Sequence, residues 1–226
     1  MIQFKKVSKI YPPNIIALNN ISFSVKKGEF VCIAGRSGAG KTSLLKLLFA
    51  EEKPTHGQVF FEDCDIFQIK KSKLFKIRRR IGVVFQDYKL LPQKTVYENI
   101  SYVLEAIGID DDKIKEKVNQ VLEIVELEDK INNFPYQLSG GEKQRVAVAR
   151  AIVHQPEVVL ADEPTGNLDP YNTRDIIRIL KEINKSGTTV ILATHSKEII
   201  NNLEKRVITL EEAKIVRDEE KGRFTL

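Results

Sequence analysis

The sequence predicts an α/β fold with a mostly parallel sheet, an antiparallel β lobe and an inserted helical subdomain. Short, unbroken apolar runs at 30–34, 81–85, 158–161 and 188–193 are typical of buried parallel strands, and helical periodicity separates them. Near the N-terminus, apolar residues alternate with polar ones instead, as in half-buried antiparallel strands. Between 86 and 139 the strand pattern stops and helical periodicity takes its place.

The β lobe and the helical subdomain each have their own periodicity. The alternating apolar residues of the β lobe are Ile2, Phe4, Ile21, Phe23 and Val25. In the helical part, Ile114, Val118, Val121, Leu122 and Val125 fall on one helix face after three aspartates at 110–112. We therefore expect one domain over 1–226, in which 1–86 and 156–226 form the core with its β lobe and 87–155 form the helical subdomain.

Composition and charge limit the class of protein without deciding its partner. The chain has 226 residues, of which 42% are hydrophobic and 30% charged, so it can fold around a sizeable core. The net charge of +5 suits either nucleic acid or an anionic membrane surface. The densest basic stretch, residues 70–80, has apolar residues between its cations, which is typical of a solvated amphipathic helix. We therefore expect no nucleic-acid partner.

The sequence contains no apolar run long enough to span a bilayer, and its start lacks the apolar segment of a secretion signal. Any membrane association is therefore expected to come through a partner. Cys32 and Cys64 have neither metal-site spacing nor a disulfide framework, so both are expected to be small buried residues of a cytosolic protein.

Residues 35–42 match the phosphate-binding pattern GxxxxGK[ST], directly after a predicted buried strand and at the start of a predicted helix. Glycines allow backbone N–H groups to turn toward phosphate oxygens, and the helix N-terminus adds a partial positive charge. Lys41 is expected to reach the β- and γ-phosphates and Thr42 to offer its hydroxyl to Mg²⁺. The pattern thus predicts ATP or GTP binding rather than a simple glycine-rich turn. The predicted binding residues are Gly35, Arg36, Ser37, Gly38, Ala39, Gly40, Lys41, Thr42 and Ser43.

Two carboxylates, Asp162 and Glu163, end the apolar run at 158–161. Strand alternation sends their side chains in different directions, so one can face a metal ion while the other faces water. Asp162 suits Mg²⁺ binding, and Glu163 suits polarising an attacking water molecule. An acidic pair alone is often only a solvated helix entry, but its place downstream of a phosphate loop favours hydrolysis.

A second possible anion site begins at Ser139. Ser139 and Glu142 have the spacing of a helix capping box, and Gly140 and Gly141 leave the backbone N–H groups of that helix start open to a phosphate. With Lys143, Gln144 and Arg145 after it, this segment resembles the signature sequence of the ATP-binding cassette (ABC) family, a branch of the P-loop NTPases. The resemblance covers essentially the whole chain.

The resemblance implies further roles that the residues alone do not establish. It implies that two copies close over two ATP molecules, each held between the phosphate loop of one copy and residues 139–142 of the other. It also implies that Tyr11 stacks on adenine, Gln86 touches Mg²⁺ and water, Asp169 faces the other copy and His195 contacts the γ-phosphate. A structural role stays open for Tyr11 and His195. The other histidines, His56 and His154, are expected at the surface.

Finer features resemble the cell-division members of the family, whose ATPase moves an integral membrane permease. The stretches that carry this resemblance are 51–55, 85–92, 95–100, 161–169 and 215–220. Lipoprotein-releasing and macrolide-exporting ATPases share much of this sequence, so an export ATPase is the alternative. The permease is expected to dock beside residues 86–97.

Overall fold

The computed structural model describes residues 1–223, which form two sheets and seven α-helices. The strands are β1 (Ile2–Tyr11), β2 (Ile15–Val25), β3 (Phe30–Ala34), β4 (His56–Phe61), β5 (Cys64–Asp65), β6 (Ile81–Val84), β7 (Val158–Asp162), β8 (Thr189–Thr194), β9 (Arg206–Glu211) and β10 (Lys214–Glu219). The helices are α1 (Lys41–Leu48), α2 (Phe75–Arg78), α3 (Val96–Ile107), α4 (Asp111–Val125), α5 (Gly140–Ile152), α6 (Pro170–Lys185) and α7 (Lys197–Leu203).

The core sheet has the strand order β10-β9-β3-β8-β7-β6. Its strands run parallel except β10, which pairs antiparallel with β9. All residues of β3 and β8 are buried, as expected for strands covered by helices on both faces. The predicted α/β class with a mostly parallel sheet is confirmed.

The second sheet is the antiparallel β lobe, with the order β2-β1-β4-β5. Each predicted inward residue of β1 and β2 is buried, and the rings of Phe4 and Phe23 stack at 4.6 Å between centroids. These side chains contribute to a core shared with α1 and one face of β3. The β lobe is thereby fixed against the helix that follows the phosphate loop.

Helices α3, α4 and α5 occupy the region between β6 and β7. The predicted inward residues of α4 are all buried, and α4 begins after Asp110, although the Asp110 side chain makes no capping hydrogen bond. No helix within residues 1–223 is both long and apolar enough to cross a bilayer. The division of the chain at 87 and 155 stays a prediction, and residues 224–226 of the predicted domain lie outside the described part.

Two expectations about surface segments were wrong. The basic stretch forms a 3-10 turn at Lys71–Lys73 and the single-turn helix α2 rather than one amphipathic helix. Its apolar residues therefore form a helical face of only one turn. After α2 the chain enters β6, and Arg80, just before that strand, pairs with Glu157. Cys64 is exposed because it lies on the two-residue edge strand β5. Cys32 is buried as expected, and burial raises the pKa of its thiol to about 12.

Gly82 allows the sheet and the helical region to approach closely. A Cβ atom there would lie 2.0 Å from the carbonyl oxygen of Ala151 on α5. We expect Gly82→Ala to lower the free energy of unfolding by roughly 3 kcal/mol, measured by chemical denaturation. Gly108→Ala is the control, because no atom lies within 4 Å there and its positive φ of 82° alone should cost about 1 kcal/mol. Equal losses in the two variants would contradict this packing argument.

Candidate active site

The predicted site residues of the core follow four neighbouring strands at one edge of the parallel sheet. The loop at 35–40 follows β3, Gln86 comes shortly after β6, Glu163 follows β7, and His195 follows β8. Because the carboxyl ends of parallel strands share one edge, residues distant in sequence meet there.

The phosphate loop depends on its glycines. Gly38 and Gly40 have φ values of 81° and 104°, in the left-handed region that favours glycine. A Cβ atom on Gly40 would also lie 2.2 Å from the carbonyl oxygen of Ala17 in β2. The loop therefore leads into α1, and at Gly38 and Gly40 no side chain covers the backbone N–H groups.

Lys41 turns its amine back into this loop. Its Nζ donates to the carbonyl oxygens of Gly35 at 2.8 Å and Arg36 at 3.1 Å, and it pairs with Glu163 Oε1 at 3.1 Å. The Lys41 side chain is 6% exposed. A buried ammonium needs anionic or carbonyl oxygens around it, so phosphate oxygens are suitable replacements for these partners.

Glu163 joins Lys41 to His195. Its Oε1 lies 2.8 Å from His195 Nδ1, and its Oε2 accepts from the His195 backbone N–H at 3.3 Å. Glu163 has a φ of 45°, which is costly for a residue with a side chain and often marks a functional position. The sequence predicted each of the three residues separately. That Lys41 and His195 both contact the carboxylate of Glu163 became visible only in the fold.

Asp162, predicted to bind the metal ion, ends β7 as a partly buried carboxylate. Burial raises the pKa of its carboxyl, and the Thr42 hydroxyl donates to it, which opposes the rise. Its Oδ1 is buried without a hydrogen-bond partner in the described residues. Thr42, Gln86 and Asp162 line the same cavity, so the predicted metal-binding residues come together. Their hard oxygen atoms fit Mg²⁺.

Gln86 is held where the chain leaves β6. It packs against Gly166, where a Cβ atom would lie 2.8 Å from Gln86 Nε2. The following turn is held by Arg150 of α5, whose guanidinium donates to the carbonyl oxygens of Tyr88 at 2.7 Å and Lys89 at 2.6 Å. Arg150 was not predicted, because its sequence position gave no sign of this tertiary contact.

The segment from Ser139 to Glu142 has the predicted capping box. The Ser139 N–H donates to Glu142 Oε2 at 2.7 Å, and the Glu142 N–H donates to Ser139 Oγ at 3.3 Å. The Ser139 backbone N–H lowers the pKa of the Glu142 carboxyl. Gly141 packs against Asn172 of α6, whereas Ser139 and Gly140 are exposed. Within residues 1–223 this segment makes no hydrogen bond with the phosphate loop.

Tyr11 lies at the end of β1, close to α1. Its hydroxyl is 3.2 Å from Ser43 Oγ, and burial is the main cause that raises its pKa. Lys9 Nζ lies 4.8 Å from the centre of the Tyr11 ring and 3.0 Å from Glu52 Oε2. Lys9 and Glu52 were not predicted, although alternation along β1 places Lys9 on the same side as Tyr11.

Asp169 and the two remaining histidines complete the predicted set. Asp169 caps α6, accepting from the backbone N–H groups of Tyr171 at 2.9 Å and Asn172 at 3.0 Å, and its carboxylate is exposed. His56 is exposed as expected. The surface position expected for His154 was wrong, because it packs beside β6, and burial lowers its pKa.

Fold and site together define a P-loop nucleoside triphosphatase with an inserted helical region and a second glycine-bearing helix start. A family model described as ABC transporter matches residues 18–166. The chain belongs to the ABC transporter family and is an ATP-binding, ATP-hydrolysing cassette.

Within the family the chain is similar to cell-division proteins along nearly its whole length. It is 52% identical to the cell division ATP-binding protein FtsE of Bacillus subtilis (strain 168), over 99% of this chain and 98% of that protein. It is 45% identical to the FtsE protein of Escherichia coli (strain K12), over 93% of this chain and 95% of that protein. The predicted resemblance to the cell-division members is confirmed.

Solved structures with this fold include dimers. The dimeric structure of MJ0796, a bacterial ABC transporter cassette, matches with a TM-score of 0.90 and 36% identity over 99% of this chain and all of that one. A dimeric post-hydrolysis state of the same cassette, bound to ADP and Pi, matches with a TM-score of 0.89 at the same identity and coverage. These neighbours support both nucleotide hydrolysis and a homodimer.

Proposed function

We propose that this chain hydrolyses ATP as one half of a homodimer and thereby moves an FtsX-like integral membrane permease that regulates cell-wall hydrolysis during cell division. The position of Glu163 between Lys41 and His195 carries the chemical part of the proposal. Similarity to FtsE over nearly the full length supports the cell-division part. The relatives named above do not favour the alternative of a lipoprotein-releasing or macrolide-type exporter.

Phosphate binding would rearrange the contacts of Lys41. In our proposal its ammonium leaves Glu163 and the two loop carbonyls to contact the β- and γ-phosphate oxygens. Thr42, Gln86 and Asp162 would hold Mg²⁺, which neutralises phosphate charge when it is bound. The orphaned oxygen of Asp162 supports this assignment.

Hydrolysis would use the carboxylate that Lys41 releases. Glu163 then accepts a proton from the attacking water, as a general base held near the phosphate loop. His195, already on the other side of Glu163, would hydrogen-bond the γ-phosphate oxygen. ATP binding would thus release the Glu163 carboxylate from Lys41 and leave it able to accept the proton of the attacking water.

The second half of the site would come from the other copy. Ser139, Gly140, Gly141 and Glu142 form a helix start that is exposed at Ser139 and Gly140, and a helix start favours an anion such as the γ-phosphate. Tyr11 would stack on adenine and Asp169 would face the neighbouring copy. Because the γ-phosphate is shared between copies, closure of the dimer would depend on ATP and end with hydrolysis.

The permease would dock in an apolar groove between the core and the helical region. Among the residues that line this groove are Val83, Tyr102, Val103 and Ile107, and it continues to Phe85 beside Gln86. Tyr102 is 58% exposed, so its ring offers apolar surface at the edge of this groove. Docking there would place the chain at the cytoplasmic face of the membrane and couple the Gln86 turn to the permease.

Tyr102→Glu tests the docking groove. We expect this variant to keep its ATPase activity in solution but to lose co-purification with the permease from detergent-solubilised membranes, because a carboxylate in an apolar interface is left unpaired. Ile124→Glu is the matched control, since Ile124 is exposed on α4 and does not line the groove. Normal recovery of the permease with Tyr102→Glu would remove the groove from the proposal. The topology of the recovered permease distinguishes a cell-division partner from an exporter.

A further inference from the structure

The segment before β6 presents a row of lysines that the ATPase site does not use. We call Lys70, Lys71, Lys73 and Lys76, with Phe75 among them, the basic ridge. All four lysines are exposed, and Phe75 is 46% exposed. Lys70 precedes the 3-10 turn Lys71–Lys73, which holds two of the other lysines, and Phe75 and Lys76 lie on the single-turn helix α2.

The charge of the ridge is uncompensated. None of its four lysines forms an ion pair with another residue of 1–223, whereas the nearby Arg80 pairs with both Glu62 and Glu157. Arg79, next to the ridge, donates to the backbone carbonyl oxygen of Ala106 instead of to a carboxylate. Several cations without counter-ions make this surface strongly attractive to an anionic partner.

The ridge is held firmly on the protein. Ile77 of α2 is buried in the core cluster that includes the β lobe. Arg78 donates to the carbonyl oxygens of Phe49 at 3.3 Å and Ala50 at 3.0 Å, which ties α2 to the end of α1. The lysines and Phe75 are therefore presented together from a fixed base, with no folding step needed before they bind.

We propose that the basic ridge binds anionic phospholipid headgroups, with the Phe75 ring entering the interfacial layer of the bilayer. Lysines around an exposed aromatic ring combine electrostatic attraction with apolar burial, which is the chemistry of membrane-surface binding. Binding to single-stranded nucleic acid uses several stacking rings along a groove, whereas Phe75 is the one exposed ring of the ridge. Nucleic acid is therefore the less suitable anion.

The position of the ridge agrees with this assignment. Phe75, Arg78 and Arg79 lie where the ridge meets the apolar groove proposed for the permease, so ridge and groove lie side by side, and the permease would occupy the groove between Val83 and Tyr102 and leave Phe75 to the bilayer. A permease docked there would bring the ridge toward its own bilayer. This placement rests on the proposed function, but lipid binding by the ridge itself can be measured without any permease.

Vesicle sedimentation measures the contribution of charge. We expect the protein to bind vesicles of phosphatidylcholine mixed with phosphatidylglycerol, and not to bind vesicles of phosphatidylcholine alone. Changing all four ridge lysines to Gln should weaken binding by roughly 600-fold at low salt, since each lysine near an anionic surface contributes about fivefold and the four contributions multiply. The matched control changes Lys113, Lys115, Lys117 and Lys185 to Gln, which removes equal charge elsewhere and should weaken binding much less.

A tryptophan probe measures the apolar contact, because the sequence has no Trp of its own. Phe75→Trp should shift its fluorescence to the blue when phosphatidylglycerol vesicles are added, whereas Tyr171→Trp at an exposed position of α6 should not. Equal vesicle binding by the two lysine variants, or no shift at Trp in place of Phe75, would overturn the proposal. So would ridge-dependent binding of a short single-stranded RNA without binding of vesicles. Normal permease recovery in any of these cases would leave the proposed function standing.

Discussion

Glu163→Gln is expected to bind ATP with nearly unchanged affinity but to hydrolyse it roughly 10²–10⁴-fold more slowly. An amide has the shape of the carboxylate, so it can keep its place beside His195, but it cannot accept the proton of the attacking water. Loss of the ion pair with Lys41 should not harm ATP binding, because that contact must break when phosphate arrives. Phosphate release at saturating ATP measures the effect.

Glu212→Gln is the control for Glu163→Gln, since Glu212 lies exposed in the turn between β9 and β10. It removes the same charge far from the phosphate loop and should leave turnover unchanged. If Glu163→Gln also turned over at the normal rate, Glu163 could not be the general base.

Lys41→Met is expected to weaken ATP binding by roughly 10- to 100-fold, the range for losing a charge-assisted hydrogen bond in a buried site. Methionine keeps most of the volume of the lysine side chain, so the change removes the charge with little loss of packing. Calorimetric titration with ATP and Mg²⁺ measures the affinity. Lys115→Met, at an exposed position of α4, serves as the control.

Stability must be compared before the affinity of Lys41→Met is interpreted. The variant leaves Glu163 without its ammonium partner, although His195 still contacts the carboxylate. Thermal unfolding without nucleotide separates a folding defect from a binding defect. An ATP affinity equal to that of the unchanged protein would show that Lys41 does not contact the phosphates.

Local patterns predicted much of the fold because they depend on neighbours in the chain. Alternation identified the inward residues of β1 and β2, and helical spacing identified the buried face of α4. The capping box of Ser139 and Glu142 formed as its spacing predicted. Each of these features is determined by a few consecutive residues, whose periodicity is sufficient to place them.

Contacts between distant segments were not predictable in this way. The sequence indicated Lys41, Glu163 and His195 as site residues, but not that one carboxylate would serve both partners. The position of Arg150 beside the Gln86 turn depends on how α5 packs against β6, which no local pattern states. The exposure of Cys64 was not predicted for the same reason, because its position on an edge strand follows from the sheet topology.

In the proposed dimer, the helix start at Ser139 binds the γ-phosphate of the ATP held by the other copy. Glu163→Gln protein should therefore double its mass in solution with ATP and Mg²⁺ but remain monomeric with ADP. Ser139→Asp added to this variant keeps a good N-cap for α5 but places negative charge against the phosphate, so it should abolish the dimer. Thr95→Asp, in the equivalent capping box at the start of α3, is the matched control and should not.

The most direct measurement is light scattering of Glu163→Gln, alone and combined with Ser139→Asp or Thr95→Asp, each with ATP and with ADP. The account predicts a dimer only with ATP and only where Ser139 is unchanged. A monomer for Glu163→Gln under both nucleotides, or an ATP-dependent dimer that survives Ser139→Asp, would contradict it.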